Sequence, residues 1–293
     1  IYNYLKVYED DSAVYFSTNV LFGVQSMKMK NGGLTGGYYD YALAAPLMAG
    51  VTEKENFEIL ILGLATGTYA SQCLEYFGNV SIEGVEIDKK ITDLARTYFD
   101  LPSVVDVTVD DGRAYLYSGK GKEKQYDVIM VDAYQDITIP FQMSTSEFFS
   151  LVRSHLKEDG VMVLNMNMYS DDEGSINSYL ADTAASVFSN VCYARIEDNR
   201  ELFASDNPDM MSVFEKSVPS VKDARLRSCM NEALKKFKEN GKYEGGNLIL
   251  TDDKAPVELL GIRLIDNMIE SELSYYRNIY KEKGFKGLWD SLT

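Results

Sequence analysis

Histidine is almost missing from this chain: His155 is the only one among 293 residues. Its scarcity excludes Ser-His-Asp and Cys-His catalysis and histidine-based metal chemistry, because each needs an imidazole at the reacting centre. Proton transfer here must rely on Asp, Glu, Tyr or Lys. His155 itself falls near the end of an expected helix, where a solvated side chain is the ordinary outcome. Cysteine is equally sparse. Cys73, Cys192 and Cys229 lie far apart and are odd in number, which indicates neither a disulfide framework nor a zinc cluster and fits a reducing compartment. No metal is implied. Long apolar runs are absent too, with no stretch of about 18 residues to span a membrane and no signal-peptide pattern. Basic charge is in deficit, 29 Lys and Arg against 45 Asp and Glu, for a net charge of −16. No basic stripe can neutralise phosphates, so a nucleic-acid partner is excluded. The acid either serves solubility or surrounds a cationic ligand.

What is present is ordinary for a globular protein, 45% hydrophobic and 25% charged residues. The first thirty residues are β-rich, with turn signals at Glu9–Ser12 and Ser17–Asn19, and read as a small antiparallel unit. NGGLTGG makes a loop before a helix expected from Tyr38 to Met48. From Phe57 strands and helices alternate. EILILG, VSIEGVEID, VVDVTVDDG, YDVIMVDAY and VMVLNMNMY read as strands, and TYASQCLEYFG, KKITDLARTYF and SEFFSLVRSHLKEDG as helices, the last ending on glycine. Such spacing predicts βαβ units and a mostly parallel α/β sheet, its apolar strands covered on both faces. Beyond Ser170 come a helix near 174–188, strands near 191–195 and 201–204, a helix near 221–240, and the loop LTDDKAPVELL leading into a long final helix. The expected division is an N-terminal β cap over residues 1–36 and a nucleoside-binding α/β catalytic domain over 37–293.

Candidate chemistry sits at the strand ends. GLATGT, with Gly63, Thr66 and Gly67, follows the first strand of the alternating region. A lone glycine loop is explained equally by packing and by a ligand lying on its backbone. The next strand ends in VEID, placing Glu86 about twenty residues on, where a carboxylate accepts bonds from two ribose hydroxyls in nucleoside-binding α/β folds. Asp88 reads instead as a helix N-cap. DDG places Asp111 and Gly112 at the third strand end: the carboxylate suits an adenine amine and the glycine the approach of the ring, with helix capping as the alternative. VDAYQD delivers Asp132 and Asp136. At the mouth of the crevice Asp132 could hold a cationic amine, remove its proton, or both, or simply cap a turn.

In this order and spacing ILILGLATGT, VEID, DDG and YDVIMVDAY resemble the spermidine synthase family, the polyamine aminopropyltransferases. The likeness covers roughly the first 170 residues, and GYYDYALAAPL fits it too. GVQS, LTGGYYDY, IPFQMSTSEFF and LTDDKAPVELL look like a subgroup fused to membrane segments. The resemblance implies a Rossmann-like fold of the class I S-adenosylmethionine-dependent methyltransferase type with a small antiparallel β cap. It implies that Glu86 binds the ribose, Asp111 the adenine amine, and that Asp132 is the base. It places Tyr38 and Asp136 on the amine substrate, and Gln25 near the ribose or tail of the donor. Asn3 stands where the family often has glutamine.

Three positions depart from the family pattern. Thr66 stands where a loop aspartate usually grips the ammonium of the donor, Asp136 follows Asp132 by four positions instead of three, and Tyr39 replaces a His or Gln. The expected reaction is aminopropyl transfer from decarboxylated S-adenosylmethionine to a small cationic diamine, releasing methylthioadenosine. The alternatives are methyl transfer from S-adenosylmethionine to a small acceptor, and a non-catalytic nucleoside-binding domain of a membrane protein. A cytoplasmic location, with a membrane tether before Ile1, follows from the subgroup likeness, and a homodimer is compatible with it.

Overall fold

Two sheets organise the chain in the computed structural model, which describes residues 5–18, 24–134, 139–167, 173–196 and 199–292. The first is an antiparallel meander of β1 (Lys6–Glu9), β2 (Ala13–Ser17) and β3 (Ser26–Met29). Asp10 makes its first turn, one carboxylate oxygen accepting from the backbone N–H groups of Ser12 and Ala13 at 2.7 and 2.8 Å, as turn aspartates do. Phe16 of β2 is fully buried and meets Phe99 edge-on at 6.3 Å, fixing this sheet to the main body.

The second sheet has seven strands. After α1 (Tyr38–Ala42) and α2 (Ala44–Met48), the chain runs through β4 (Phe57–Leu62), α3 (Thr68–Tyr76), β5 (Val80–Glu86), α4 (Lys89–Tyr98), β6 (Asp106–Val109), α5 (Gly112–Tyr117) and β7 (Tyr126–Val131). It continues with α6 (Ser146–Ser154), β8 (Leu156–Asn167), α7 (Ile176–Val187), β9 (Asn190–Ile196) and β10 (Asn199–Ser205). Helices α8 (Met210–Ser217), α9 (Ala224–Asn240) and α10 (Val257–Leu292) follow, the last interrupted at Gly284. The strand order is β6-β5-β4-β7-β8-β10-β9. Pairings from β6 to β8 are parallel and the last two antiparallel, giving the mostly parallel sheet that the alternation predicts.

Burial explains why these runs are strands. Every residue of β7 is buried, and successive residues of β4 enter opposite cores, Ile59 and Ile61 on one face, Leu60 and Leu62 on the other. The first core lies under α1, α2, α3, α8 and α9, the second under α5, α6 and α7. A sheet covered on both faces buries side chains of either parity, so its strands carry no polar alternation. At the end of β7 remote from Asp132, fully buried Asp127 accepts from Lys54 Nζ and Lys157 Nζ, each at 2.7 Å, and from the Glu58 N–H at 2.8 Å. That cluster is a structural tie.

Several expectations are corrected. The helix read through SEFFSLVRSHLKEDG begins as expected, Thr145 Oγ1 accepting from the Phe148 N–H at 3.2 Å, but ends at Ser154. The chain then enters β8 at Leu156, because the Tyr126 N–H donates to the His155 carbonyl at 2.8 Å and opens the ladder there. Gly160 therefore sits inside an irregular stretch of strand and not at a helix end. His155 is not solvated: it is 6% exposed, its Nδ1–H donating to the Lys124 carbonyl at 2.8 Å. The helix expected over 38–48 is two short helices parted at Leu43. Helix α8 was not anticipated. No described helix is long and apolar enough to cross a membrane.

Candidate functional site

The carboxyl ends of β4, β5, β6 and β7 open on one side of the sheet, where open α/β folds bind ligands. β4 runs into Gly63, whose φ of +88° is left-handed. Glycine is required there twice over. L side chains are strained at that angle, and a Cβ would lie 2.5 Å from the Asp132 carbonyl oxygen, a backbone atom that cannot yield. Gly63 thus lets the loop after β4 press against the loop after β7. The Gly63 and Leu64 N–H groups both donate to the Val85 carbonyl at 3.0 Å, and the Asp132 N–H to the Leu62 carbonyl at 2.9 Å. Gly67, at φ +83°, is the residue before α3, with Leu101 filling the space a Cβ would take. Thr66 between them is 2% exposed, and its hydroxyl has no partner among the described residues.

Glu86 ends β5, 6% exposed. Its Oε2 accepts from the Ala65 N–H and its Oε1 from the Asp88 N–H, both at 3.0 Å. Ala65 has φ +49°, so the carboxylate holds a strained residue of the glycine loop. Burial raises the Glu86 carboxyl above the ordinary range, against these backbone bonds. The carboxylate has about four acceptor sites, so it retains capacity for a further donor. Asp88 is the N-cap the sequence suggested, accepting from the Lys90 N–H at 2.9 Å. Asp111 caps α5 in the same way, Oδ1 accepting from the Ala114 N–H at 2.9 Å. Its capping alternative is therefore realised, leaving Oδ2 for any ligand. Gly112 is the buried first residue of α5.

Asp132 follows β7 directly. Oδ2 accepts from the Tyr38 hydroxyl at 2.7 Å and Oδ1 from Asn165 Nδ2 at 2.8 Å. Burial pushes its pKa up to about 7, with the two hydrogen bonds opposing the shift. Tyr38 is raised in turn by burial and by the Asp132 carboxylate, and stays a phenol donor. The Tyr38 and Tyr39 rings adjoin, centroids 3.9 Å apart, and the Tyr39 hydroxyl bonds the Gln25 carbonyl. Gln25 uses its side-chain oxygen to accept from the Thr18 N–H at 2.8 Å, closing the β2–β3 connection. Asp136 and Asn3 lie outside the described residues.

The fold adds two residues that strand-end reasoning missed. Asn165, 3% exposed on β8, accepts through Oδ1 from Asn199 Nδ2 at 2.7 Å while holding Asp132. Glu201 on β10 is fully buried, and neither carboxylate oxygen has a partner among the described residues. The signal for both was a polar residue inside an apolar strand, VLNMN and ELFA. Away from this cluster, Asp252 of LTDDKAPVELL pairs with Arg113 at 2.6 and 2.8 Å and accepts from Thr145 Oγ1 at 2.7 Å, tying that loop to α5 and α6.

A family model described as the spermine/spermidine synthase domain matches residues 43–196. A probable polyamine aminopropyl transferase of Bifidobacterium longum is 50% identical over 98% of this chain, which spans 67% of that relative's length. Among solved structures, a probable spermidine synthase from Corynebacterium glutamicum superposes with a TM-score of 0.62 at 20% identity, covering 79% of this chain and 92% of the other. Human methyltransferase-like protein 13 in complex with SAH gives 0.54 at 22% identity, with 71% and 94% covered. At those identities the two structures speak for the fold alone.

Proposed function

Since the chain belongs to the spermine/spermidine synthase family, we propose that it transfers an aminopropyl group from decarboxylated S-adenosylmethionine to an amine, with methylthioadenosine as the second product. One observation carries the reading. Asp132, partly buried and oriented by Tyr38 and Asn165, titrates near neutrality beside a glycine loop that presses on its own backbone. A base with that pKa can take a proton from a bound ammonium at physiological pH.

The chemistry then balances. The attacking ammonium loses one proton to Asp132. The neutral amine attacks the carbon beside the sulfonium, the C–N bond forms as the C–S bond breaks, and the electron pair goes to sulfur. The product nitrogen keeps the positive charge as a secondary ammonium, and the proton on Asp132 leaves to solvent. Tyr38 and Asn165 hold the base in register with the donor, and positioning of this kind supplies much of the acceleration in a bimolecular transfer.

The donor's ribose is assigned to Glu86 and its adenine to the region of Asp111 and Gly112. Glu86→Gln should weaken methylthioadenosine binding by about 1–3 kcal/mol, since the lost bonds are charge-assisted. Calorimetry on the folded variant checks this, and an unchanged Kd would move the ribose elsewhere. Incubating the protein with decarboxylated or ordinary S-adenosylmethionine and a panel of amines, with products identified by mass spectrometry, tests the whole reading. Because the loop residue Thr66 has no carboxylate, the ordinary donor belongs in the comparison. A methylated acceptor would replace aminopropyl transfer as the activity.

A further inference from the structure

Helix α10 leaves the body of the protein almost at once. Val257 and Leu260 are buried in the core under α7, and beyond Gly261 no described residue of the helix is buried. From Val257 to Lys283, before the break at Gly284, it runs for about 40 Å. Helices in proteins draw most of their stability from packing an apolar face, and none of the described cores extends along this one past Leu260.

The apolar residues it carries are not scattered. Ile262, Ile269, Leu273, Tyr276 and Tyr280 follow one another at intervals of seven, four, three and four positions. At about 100° per residue they fall within an arc of about 60°. Ile262, Ile269, Leu273 and Tyr280 are each 50% exposed or more. A single exposed apolar side chain needs no explanation, but a continuous stripe marks a surface that something covers. The charges are sorted by sign along the same helix. Up to Glu270 the acids Glu258, Asp266 and Glu270 outnumber Arg263, and from Arg277 the cations Arg277, Lys281, Lys283 and Lys286 outnumber Glu282. All of these side chains are exposed. An anionic lipid surface would repel the first half. A parallel pair of such helices would set like charge beside like, whereas an antiparallel pair sets each half against its opposite.

We propose that the exposed face of α10 is a homodimer interface, two copies of the chain pairing antiparallel about a two-fold axis near position 271. That axis sets Ile262 opposite Tyr280 of the second copy and Ile269 opposite Leu273, so the stripe is self-complementary. A two-fold perpendicular to both helices also brings the same flank of each together. Asp266 and Arg277 lie on one flank of the stripe, Glu258 and Lys283 on the other. The register puts Asp266 against Arg277 and Glu258 against Lys283, and symmetry makes each pair twice. Burial of the stripe supplies the affinity, and the flanking charges fix direction and register.

Analytical ultracentrifugation of the 293-residue chain should show a dimer. Leu273→Glu, which places a charge in the middle of the stripe, should raise the dissociation constant at least about tenfold. Asp266→Arg sets arginine against Arg277, and Arg277→Asp sets aspartate against Asp266, so each variant alone should lose at least about tenfold in association. Mixed in equal amounts, these two variants should recover wild-type association, because every mixed dimer holds two pairs of opposite sign. Recovery also shows that neither variant is misfolded. A wild type that sediments as a monomer, a dimer indifferent to all three substitutions, or a mixture that does not recover would overturn the proposal. A monomeric wild type that co-sediments with vesicles of phosphatidylcholine and phosphatidylserine, and is released by Leu273→Glu, would assign the stripe to a membrane surface instead.

Discussion

Asp132→Asn is expected to lower kcat by roughly 10²–10⁴ while the protein stays folded and still binds methylthioadenosine. Asparagine keeps the shape of the side chain and an acceptor for Tyr38 or Asn165, but it cannot take the amine proton. The pH profile makes the expectation sharper. With its pKa pushed up to about 7, Asp132 is mostly protonated below that value, so wild-type kcat should rise through pH 7 and level above it. The residual rate of Asp132→Asn should lack this limb. Stability carries the opposite sign. The folded-state pKa lies above the ordinary unfolded value near 4, so ionising Asp132 in the folded protein erodes stability as pH rises from about 4 to 7. The melting temperature of Asp132→Asn should therefore gain on that of the wild type across this window. A wild-type rate in the variant would reduce Asp132 to a positioning role, and a variant that cannot fold would make it structural.

Gly63→Ala should be the most damaging small substitution in the site. The left-handed φ adds about 1–2 kcal/mol for any L side chain. The new methyl would also lie 2.5 Å from the Asp132 carbonyl oxygen and 2.8 Å from Ala133 Cα, an overpacking cost of about 1–3 kcal/mol. Together these give a loss of about 2–5 kcal/mol, read as a fall in Tm of roughly 3–8 °C for a chain of this length. Activity should fall further than stability at temperatures where the variant is folded, because relief of the contact has to displace Asp132. A variant that melts like the wild type and turns over normally would show that the two loops separate easily.

Much of this was legible in the chain. Apolar strands alternating with helices specify parallel order locally, and residues at strand ends fall into one crevice without knowledge of long-range contacts. Gly63, Glu86 and Asp132 were placed at the ends of β4, β5 and β7 that way. Asp111 was readable only as an ambiguity, since an acid before a helix serves a cap and a ligand with the same oxygens. His155 misled because a helix-terminal histidine says nothing of the β7 edge that buries it, and the Lys124 carbonyl it meets is 31 residues away in sequence. Glu201 lies 69 positions beyond Asp132 on an antiparallel strand. Its pairing with Asn165 depends on a register that local periodicity does not encode. The acid inside ELFA was visible, but its neighbours were not.

The carboxylate of Glu86 already spans Ala65 and Asp88 before any nucleoside arrives. Flexible glycine loops usually lose conformational entropy when a ligand orders them, a loss of about 1–2 kcal/mol for each backbone residue fixed. Here much of that ordering is complete in the free protein, since Glu86, the side chain proposed for the ribose, also braces the loop proposed to carry the donor. Two kinetic consequences follow. Association with the nucleoside should be a single fast step, without the slow closing phase of a loop that folds around its ligand. Differences in affinity among adenosine ligands should then appear in the rate of departure.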